Sequence, residues 1–511
     1  MNVYEKIVEY AKTERVALRY RGETRSYADV CRAMVNLRDY LVGRLGDDTT
    51  PVIIYGHKEI DFIPCMLGCA LAGHPYVPVD ITFSQSRLEL VIEEAEPRVI
   101  LDFTDTLVIE GCEVLWREQL AQVLTGGDAD MSISDIGDTV LPPNPEAIQY
   151  VLFTSGSTGR PKGVKIKFSN VESYLGVIYP SFYAGEGEHV VLNSFAYSFD
   201  LSVGYIYPAL YCGYTLHCTD KRMVENLGEL FADLKTSGVQ TVVATPSLIE
   251  MCNVSQSFGR DILPAVQRFI FCGETLTNEL ARNIRARFGD AEIINTYGPT
   301  EATVLVTVTP ITDEMIDAER SLPIGSPRNG QVLRIVDENG NVLPPRERGE
   351  LQIIGSSVSP GYFKRPDLTS RAFFVDAETG LQGYNTGDIC YFDDVDGNYY
   401  FCYRNDFQIK LNGYRIELGD VENNLLKIPY VSRAAVIPVM DDGRVVYLAA
   451  FVVLSERTEA SAVKQQIAIK RDLGQLAASY MVPRKIVIKD DFPVNTNGKT
   501  DKKALEAELR G

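Results

Sequence analysis

Four short apolar runs, TPVIIYG, QTVVATP, FIFCG and AEIINTYG, do most to limit what this chain can fold into. Together they are rich in Val and Ile, each is closed by Gly, Pro or polar residues, and helix-like stretches lie between many of them. A strand apolar on both sides is buried on both faces, and such strands alternating with helices predict an α/β fold with parallel sheet. After about residue 325 the texture changes. RIVDENGNVLP and CYFDDVDGNYYFCYR each set an Asn-Gly or Asp-Gly pair between β-type segments, which predicts hairpins. Past residue 406, AAVIPV and VVYLAAFVVL read as strands and AVKQQIAIKRDLGQLAASYM as a helix, the pattern of a small α+β unit.

Charge marks the same boundary. From Asp406 onward there are 16 Lys+Arg against 14 Asp+Glu, whereas the preceding residues carry 34 against 55. Two domains are therefore expected, 1–405 and 406–511. The net charge of −19 argues against a nucleic-acid partner. No apolar run is long enough to span a bilayer, and MNVYEKIVEYAKTERVALRY lacks the basic and apolar regions of a signal peptide. Ten cysteines without a disulfide-like spacing suit reduced thiols, so a cytoplasmic protein is expected. Cys65 and Cys69, inside DFIPCMLGCALAG, read as core thiols of a buried helix rather than half a metal site.

The run FTSGSTGRPKG at 153–163 follows the apolar YVLF. A strand followed by glycines, hydroxyls and one lysine offers backbone amides and positive charge to a polyanion. A flexible surface turn would share the composition but not the adjoining buried strand or Lys162. It is not a Walker loop, because the G-x-x-x-x-G-K-[ST] spacing is not met. The later NGKT at 497–500 also fails that pattern, with Pro493 at the first glycine position.

The run resembles the phosphate-binding signature of the adenylate-forming enzymes. NTYGPTE at 295–301, YNTGD at 384–388, YRNDFQIKLNGYRIEL at 403–418 and NTNGK at 495–499 follow in that superfamily's order, over most of the chain. SFDLSV, FCGE, NTYGPTEATV and DFQIKLNGYR resemble most the stand-alone D-alanine–carrier protein ligases, beside the nonribosomal peptide adenylation domains. The resemblance implies a large N-terminal domain of two αβ subdomains plus a β-rich one, and a small mobile α+β C-terminal domain. It implies an ATP- and Mg²⁺-dependent ligase that makes an aminoacyl-AMP and passes the acyl group to a thiol.

Residue by residue, the resemblance implies that Thr154, Ser155, Gly156, Ser157, Thr158, Gly159 and Lys162 hold the β- and γ-phosphates. Asn295, Thr296, Tyr297, Gly298 and Thr300 would belong to the nucleotide site, with Tyr297 stacked on adenine. Asp388 and Arg404 would reach the ribose. Glu301 would hold the metal, Lys499 would stabilise the charge of the adenylating step, and Asp406 would be the hinge. Asp200 matches the aspartate that holds a substrate ammonium; read without the other motifs it could instead cap the helix that follows. Leu201, Gly204, Ser247, Ile270, Cys272, Val304 and Leu305, with Thr296, would line the side-chain pocket, and Cys272 would bear on D over L choice.

An amino acid points to the phosphopantetheine arm of an acyl carrier protein rather than to free CoA. D-alanine is the first expectation. Gly204 departs from the pattern by lacking a bulky side chain, so a larger apolar or aromatic amino acid is the alternative unless Tyr205 or a neighbour fills the gap. A non-catalytic nucleotide sensor and a scaffold partner active only with a helper are the other readings. Intact Glu301, Asp388 and Lys499 argue against the sensor.

Overall fold

The computed structural model of the protein describes residues 2–46, 48–126, 132–141, 143–154, 160–404, 408–441, 444–455, 461–493, 500 and 502–510. The chain divides into two compact units. Met1–Asp80, Ala95–Leu152 and Gly163–Tyr403 make the larger; Ile81–Glu94, Phe153–Lys162 and Arg404–Gly511 make the smaller. The smaller unit thus takes in two segments distant from it in sequence. Neither was visible as such in composition or charge.

The larger unit contains a nine-stranded sheet. Its strands run Ser326–Pro327, Thr307–Pro310, Glu292–Tyr297, Arg268–Phe271, Thr241–Ala244, Val190–Asn193, Thr215–Cys218, Val16–Tyr20 and Glu23–Ser26. From Glu292–Tyr297 to Val16–Tyr20 all pairings are parallel, and both edges are antiparallel. A six-stranded sheet is ordered Glu113–Trp116, Val99–Asp102, Val52–Gly56, Tyr76–Asp80, Ile148–Thr154 and Lys162–Lys167. The four apolar runs are all strands of these sheets, buried on both faces as their composition requires. Helix Phe62–Leu71 is the expected core helix, with Cys65 and Cys69 fully buried and free.

The β-rich part holds Val332–Val336, Gly349–Ile354, Gln382–Asp393 and Phe373–Val375, with Asn398–Arg404 paired to Gln382–Asp393. The Asp-Gly hairpin turns at Gly397, which has φ +71° and donates to Asp393 O. The Asn-Gly turn also forms, at Gly340 with φ +83°, but its second arm is one isolated bridge, Val336 to Val342, rather than a strand.

In the smaller unit, Val431–Asp441 pairs antiparallel with Arg444–Leu454, which pairs parallel with Lys485–Lys489. Helices Leu418–Leu426 and Ala462–Leu476 pack on this sheet around Val421, Leu425, Val436, Ala450, Ile469 and Leu473. The mixed α/β class read from the sequence is the class the chain has. Among the described residues, no helix is long and apolar enough to cross a membrane.

Candidate active site

The three parallel strands Thr241–Ala244, Arg268–Phe271 and Glu292–Tyr297 are in register, with Ala244 beside Phe271 and Phe271 beside Asn295. Their carboxyl ends therefore finish together, the place where open α/β sheets present residues to ligands. Cys272, Thr296 and Tyr297 lie at that edge and are buried. Thr296 Oγ1 donates to Phe271 O at 2.7 Å, and Asn295 Nδ2 to Pro323 O at 2.7 Å. Both side chains are thus engaged in holding strand ends. Ile270, Leu201, Val304 and Leu305 pack with Cys272 and Tyr297 in one apolar cluster. Ser247 stands at the half-buried start of helix Pro246–Asn253, where its Oγ donates to Glu274 at 2.6 Å.

After Tyr297 the chain folds back on itself. A Cβ on Gly298 would lie 2.4 Å from Leu305 Cα and 2.7 Å from Val304 O, so only glycine fits there. Thr303 (φ +58°) and Val304 (φ +71°) both take the left-handed conformation, which is strained for β-branched residues. Bonds hold the loop in place: Thr303 Oγ1 to Ser357 O at 2.6 Å, Leu305 N to Thr303 O at 2.9 Å, and Val306 N to Tyr297 O at 2.8 Å. Strain kept by surrounding structure is common at ligand sites.

Asp200 opens a short 3₁₀ turn, Asp200–Ser202, ahead of helix Val203–Cys212. The residue before the helix is Ser202, which makes no side-chain cap bond. The cap reading of Asp200 therefore fails on position. Its Oδ2 accepts from Thr300 Oγ1 at 2.6 Å, across from the NTYGPTE loop. Thr300, expected with the nucleotide, is thus joined to the residue expected to hold the amino acid.

The larger unit also holds two buried carboxylates. Glu301 is fully buried, and its Oε1 accepts from Tyr362 Oη at 2.8 Å, while its carbonyl accepts from Ser359 N. Asp388 accepts a short hydrogen bond from Tyr297 Oη, so the ring expected at adenine and the carboxylate expected at ribose meet directly. The reason Asp388 faces inward is local. Strand Gln382–Asp393 bulges opposite Leu351, between the pairings Gln352–Asn385 and Glu350–Ile389, with Gly387 at φ +72°. Thr386 Oγ1 ties the bulge to Leu351 O at 2.7 Å. Bulges re-aim side chains, and the Thr-Gly of YNTGD makes this one.

In the smaller unit, Lys162 is buried and its carbonyl accepts from Thr154 Oγ1 at 3.4 Å. Arg404 Nη2 donates to Gln408 Oε1 at 3.1 Å, which also accepts from Arg415 Nε at 2.7 Å. Ser155, Gly156, Ser157, Thr158, Gly159, Asp406 and Lys499 lie outside the described residues.

Sequence reasoning missed Tyr362 and Tyr174. Tyr362 sits in PGYFKRPD, where nothing but a Pro-Gly turn draws notice. Tyr174 belongs to helix Phe168–Phe182 and reads as ordinary core; its phenol donates to Gly204 O at 2.8 Å. Gly204 itself leaves no gap. A Cβ there would meet Val304 Cγ1 at 3.2 Å, Leu201 Cδ1 at 3.5 Å and Tyr174 Oη at 3.8 Å. Tyr205 is not among the residues that fill the space, since its hydroxyl donates to Asn193 Oδ1 at 2.8 Å.

Among the described residues, no group of three or more His, Cys, Asp or Glu could hold a metal ion. One buried carboxylate, Glu301, suits Mg²⁺ arriving with a nucleotide, since that ion takes one or two carboxylates plus phosphate oxygens.

The chain is 39% identical over 495 residues to a D-alanine–D-alanyl carrier protein ligase of Listeria monocytogenes serovar 1/2a, covering 96% of this chain and 95% of the relative. A Bacillus cereus protein of the same name is 37% identical over 519 residues, covering all of both chains. The Vibrio cholerae adenylation domain AlmE, solved with glycyl-adenosine-5′-phosphate, has the same fold, with a TM-score of 0.83 at 22% identity over 99% of this chain and 97% of that one. Residues 5–363 match the model of the AMP-binding enzymes and 420–499 that of the AMP-binding enzyme C-terminal domain, so the chain belongs to the AMP-binding, adenylate-forming enzyme family.

Proposed function

We propose that the protein activates D-alanine with ATP and transfers it to the phosphopantetheine thiol of a carrier protein. The observation that carries the reading is Asp200, joined to Thr300, next to the buried apolar cluster that includes Leu201, Ile270, Cys272 and Val304, with the space at Gly204 already filled. An anion next to closely packed apolar side chains suits an ammonium beside a methyl group. The filled space removes the reason to expect a larger side chain.

In the first half-reaction a carboxylate oxygen of D-alanine attacks the α-phosphorus of ATP. A P–O bond forms, the bond to pyrophosphate breaks, and D-alanyl-AMP results. Asp200 holds the ammonium, with Thr300 orienting its carboxylate. Tyr297 and Asp388 hold adenine and ribose, with Arg404. Thr154 and Lys162, with Ser155 to Gly159, bind the outgoing phosphates. Glu301, oriented by Tyr362, would hold a Mg²⁺ ion, which would supply positive charge against the phosphate oxygens. Lys499 stabilises the charge that develops as pyrophosphate leaves, an interaction needed in this step alone.

In the second half-reaction the carrier's thiolate attacks the acyl carbon, and the C–O bond to AMP breaks. A thioester and AMP are released. Asp406 is the hinge between the two steps. Ten free cysteines and the need for ATP support a cytoplasmic setting for this chemistry. The test is transfer of labelled D-alanine to a phosphopantetheinylated carrier protein. ATP-dependent thioester formation is expected; transfer to free CoA in preference to the carrier would contradict the reading.

A further inference from the structure

Helix Val203–Cys212 contains Pro208, four residues after Gly204. Proline has no N–H, so the carbonyl of Gly204 lacks the helix's usual donor. Tyr174 Oη supplies it at 2.8 Å. The bond fixes where the phenol ends. Its oxygen lies 3.8 Å from the point at which a side chain on residue 204 would begin, with Val304 Cγ1 and Leu201 Cδ1 on the other sides.

The wall that residue 204 does not provide is thus provided from another helix. Tyr174 is fully buried within the apolar cluster that holds Cys272 and Val304. Burial, with smaller contributions from the Cys272 thiol and the Asp200 carboxylate, pushes its pKa well above the usual tyrosine value. The phenol therefore stays neutral and remains a donor. Cys272 Sγ approaches Val304 O at 3.9 Å, and Val304 Cγ1 and the Tyr174 hydroxyl both face residue 204, so the thiol, the strained loop and the phenol meet around one position.

We infer that Tyr174 determines specificity: its hydroxyl closes the amino-acid side-chain pocket where Gly204 leaves it bare, and so limits the substrate to a methyl-sized side chain. The inference rests on the reading of Asp200 and Cys272 as markers of that pocket. A hydroxyl and a methyl group occupy similar volumes. Removing the hydroxyl should therefore admit one more carbon.

The test compares D-alanine with D-2-aminobutyrate in ATP–pyrophosphate exchange, for the wild type, Tyr174→Phe and Tyr174→Phe/Pro208→Ala. The double variant returns a helix N–H to the Gly204 carbonyl, so it removes the wall oxygen without leaving that carbonyl unpaired. In both variants the ratio of kcat/KM values should fall about tenfold toward D-2-aminobutyrate, mainly through KM, as one carbon in an apolar pocket commands. A ratio unchanged in Tyr174→Phe, or restored in the double variant together with its thermal midpoint, would overturn the inference and leave Tyr174 a structural residue. Absence of D-alanine-dependent exchange in the wild type would instead overturn the assignment of the substrate.

Discussion

Tyr362 Oη donates to Oε1 of Glu301 at 2.8 Å, inside the core, joining residues 61 positions apart. A phenol aimed at a buried carboxylate fixes which way its oxygens point, and a metal held by one protein oxygen depends on that direction. Tyr362→Phe should raise the Mg²⁺ concentration for half-maximal exchange, by about 10- to 100-fold as for other partners of metal ligands. The KM for D-alanine should change little. Exchange rates across a Mg²⁺ series measure it; an unchanged half-maximal concentration would separate Tyr362 from the metal.

Thr300 and Asp200 make a second such pair, at 2.6 Å. Thr300→Val keeps the shape and removes the donor. Losing one hydrogen bond to a charged group costs about 1.5–3 kcal/mol, so the KM for the amino acid should rise by roughly tenfold or more while that for ATP holds. Asp200→Ala should cost more, roughly 3–5 kcal/mol, because it leaves the substrate ammonium unpaired. Steady-state exchange with each substrate varied in turn distinguishes these outcomes. Equal damage to both KM values would place Thr300 in the nucleotide site instead.

Lys58 predicts a pH effect on stability. It is fully buried, donating to Asn193 Oδ1 at 2.5 Å and to Phe195 O, with its ammonium 3.9 Å from the Tyr197 ring centre. Burial lowers its pKa from 10.5 to about 7. Below that value both folded and unfolded chains carry the charge, and the folded state bears the whole cost of burying it. From about 7 up to 10.5 the unfolded chain binds the proton and the folded chain does not, so stability rises with pH. Lys58→Met removes the charge, and the Tyr205 hydroxyl remains within hydrogen-bond reach of both acceptors, 2.8 Å from Asn193 Oδ1 and 3.2 Å from Phe195 O. Its stability advantage should shrink by up to about 1.4 kcal/mol per pH unit across that window. Denaturation of both proteins at neutral and alkaline pH measures it; a constant difference would mean Lys58 titrates normally.

Much of this site was legible in the sequence, and the reasons are local. Gly298 and Gly387 stand where the backbone must pass close to itself or bulge, so short motifs carry them. The strand ends that gather Cys272, Thr296 and Tyr297 follow from apolar runs closed by polar residues. What was not legible depends on tertiary pairing. Tyr174 and Gly204 are 30 residues apart on different helices, and a buried Tyr in a helix looks like any other. The sequence displayed the missing side chain at 204 but not the phenol that fills its place. Likewise nothing in NTYGPTE foretold that the Thr300 hydroxyl would donate to Asp200.

Lys499 should matter in one half-reaction only. Lys499→Ala should slow adenylation by about 10²–10³-fold, the usual loss for one contact to developing charge. Transfer from supplied D-alanyl-AMP to the carrier should continue near the wild-type rate. Single-turnover assays of each step measure this, and equal slowing of both would contradict a role confined to pyrophosphate release.

The residues around Asp200 should select D-alanine above other amino acids. Specificity constants for ATP–pyrophosphate exchange, measured across glycine and the D- and L-forms of alanine, valine, leucine and phenylalanine, test it most directly. D-alanine should give the highest value, with L-alanine and every larger side chain well below it. A higher value for valine, leucine or phenylalanine of either hand would contradict it.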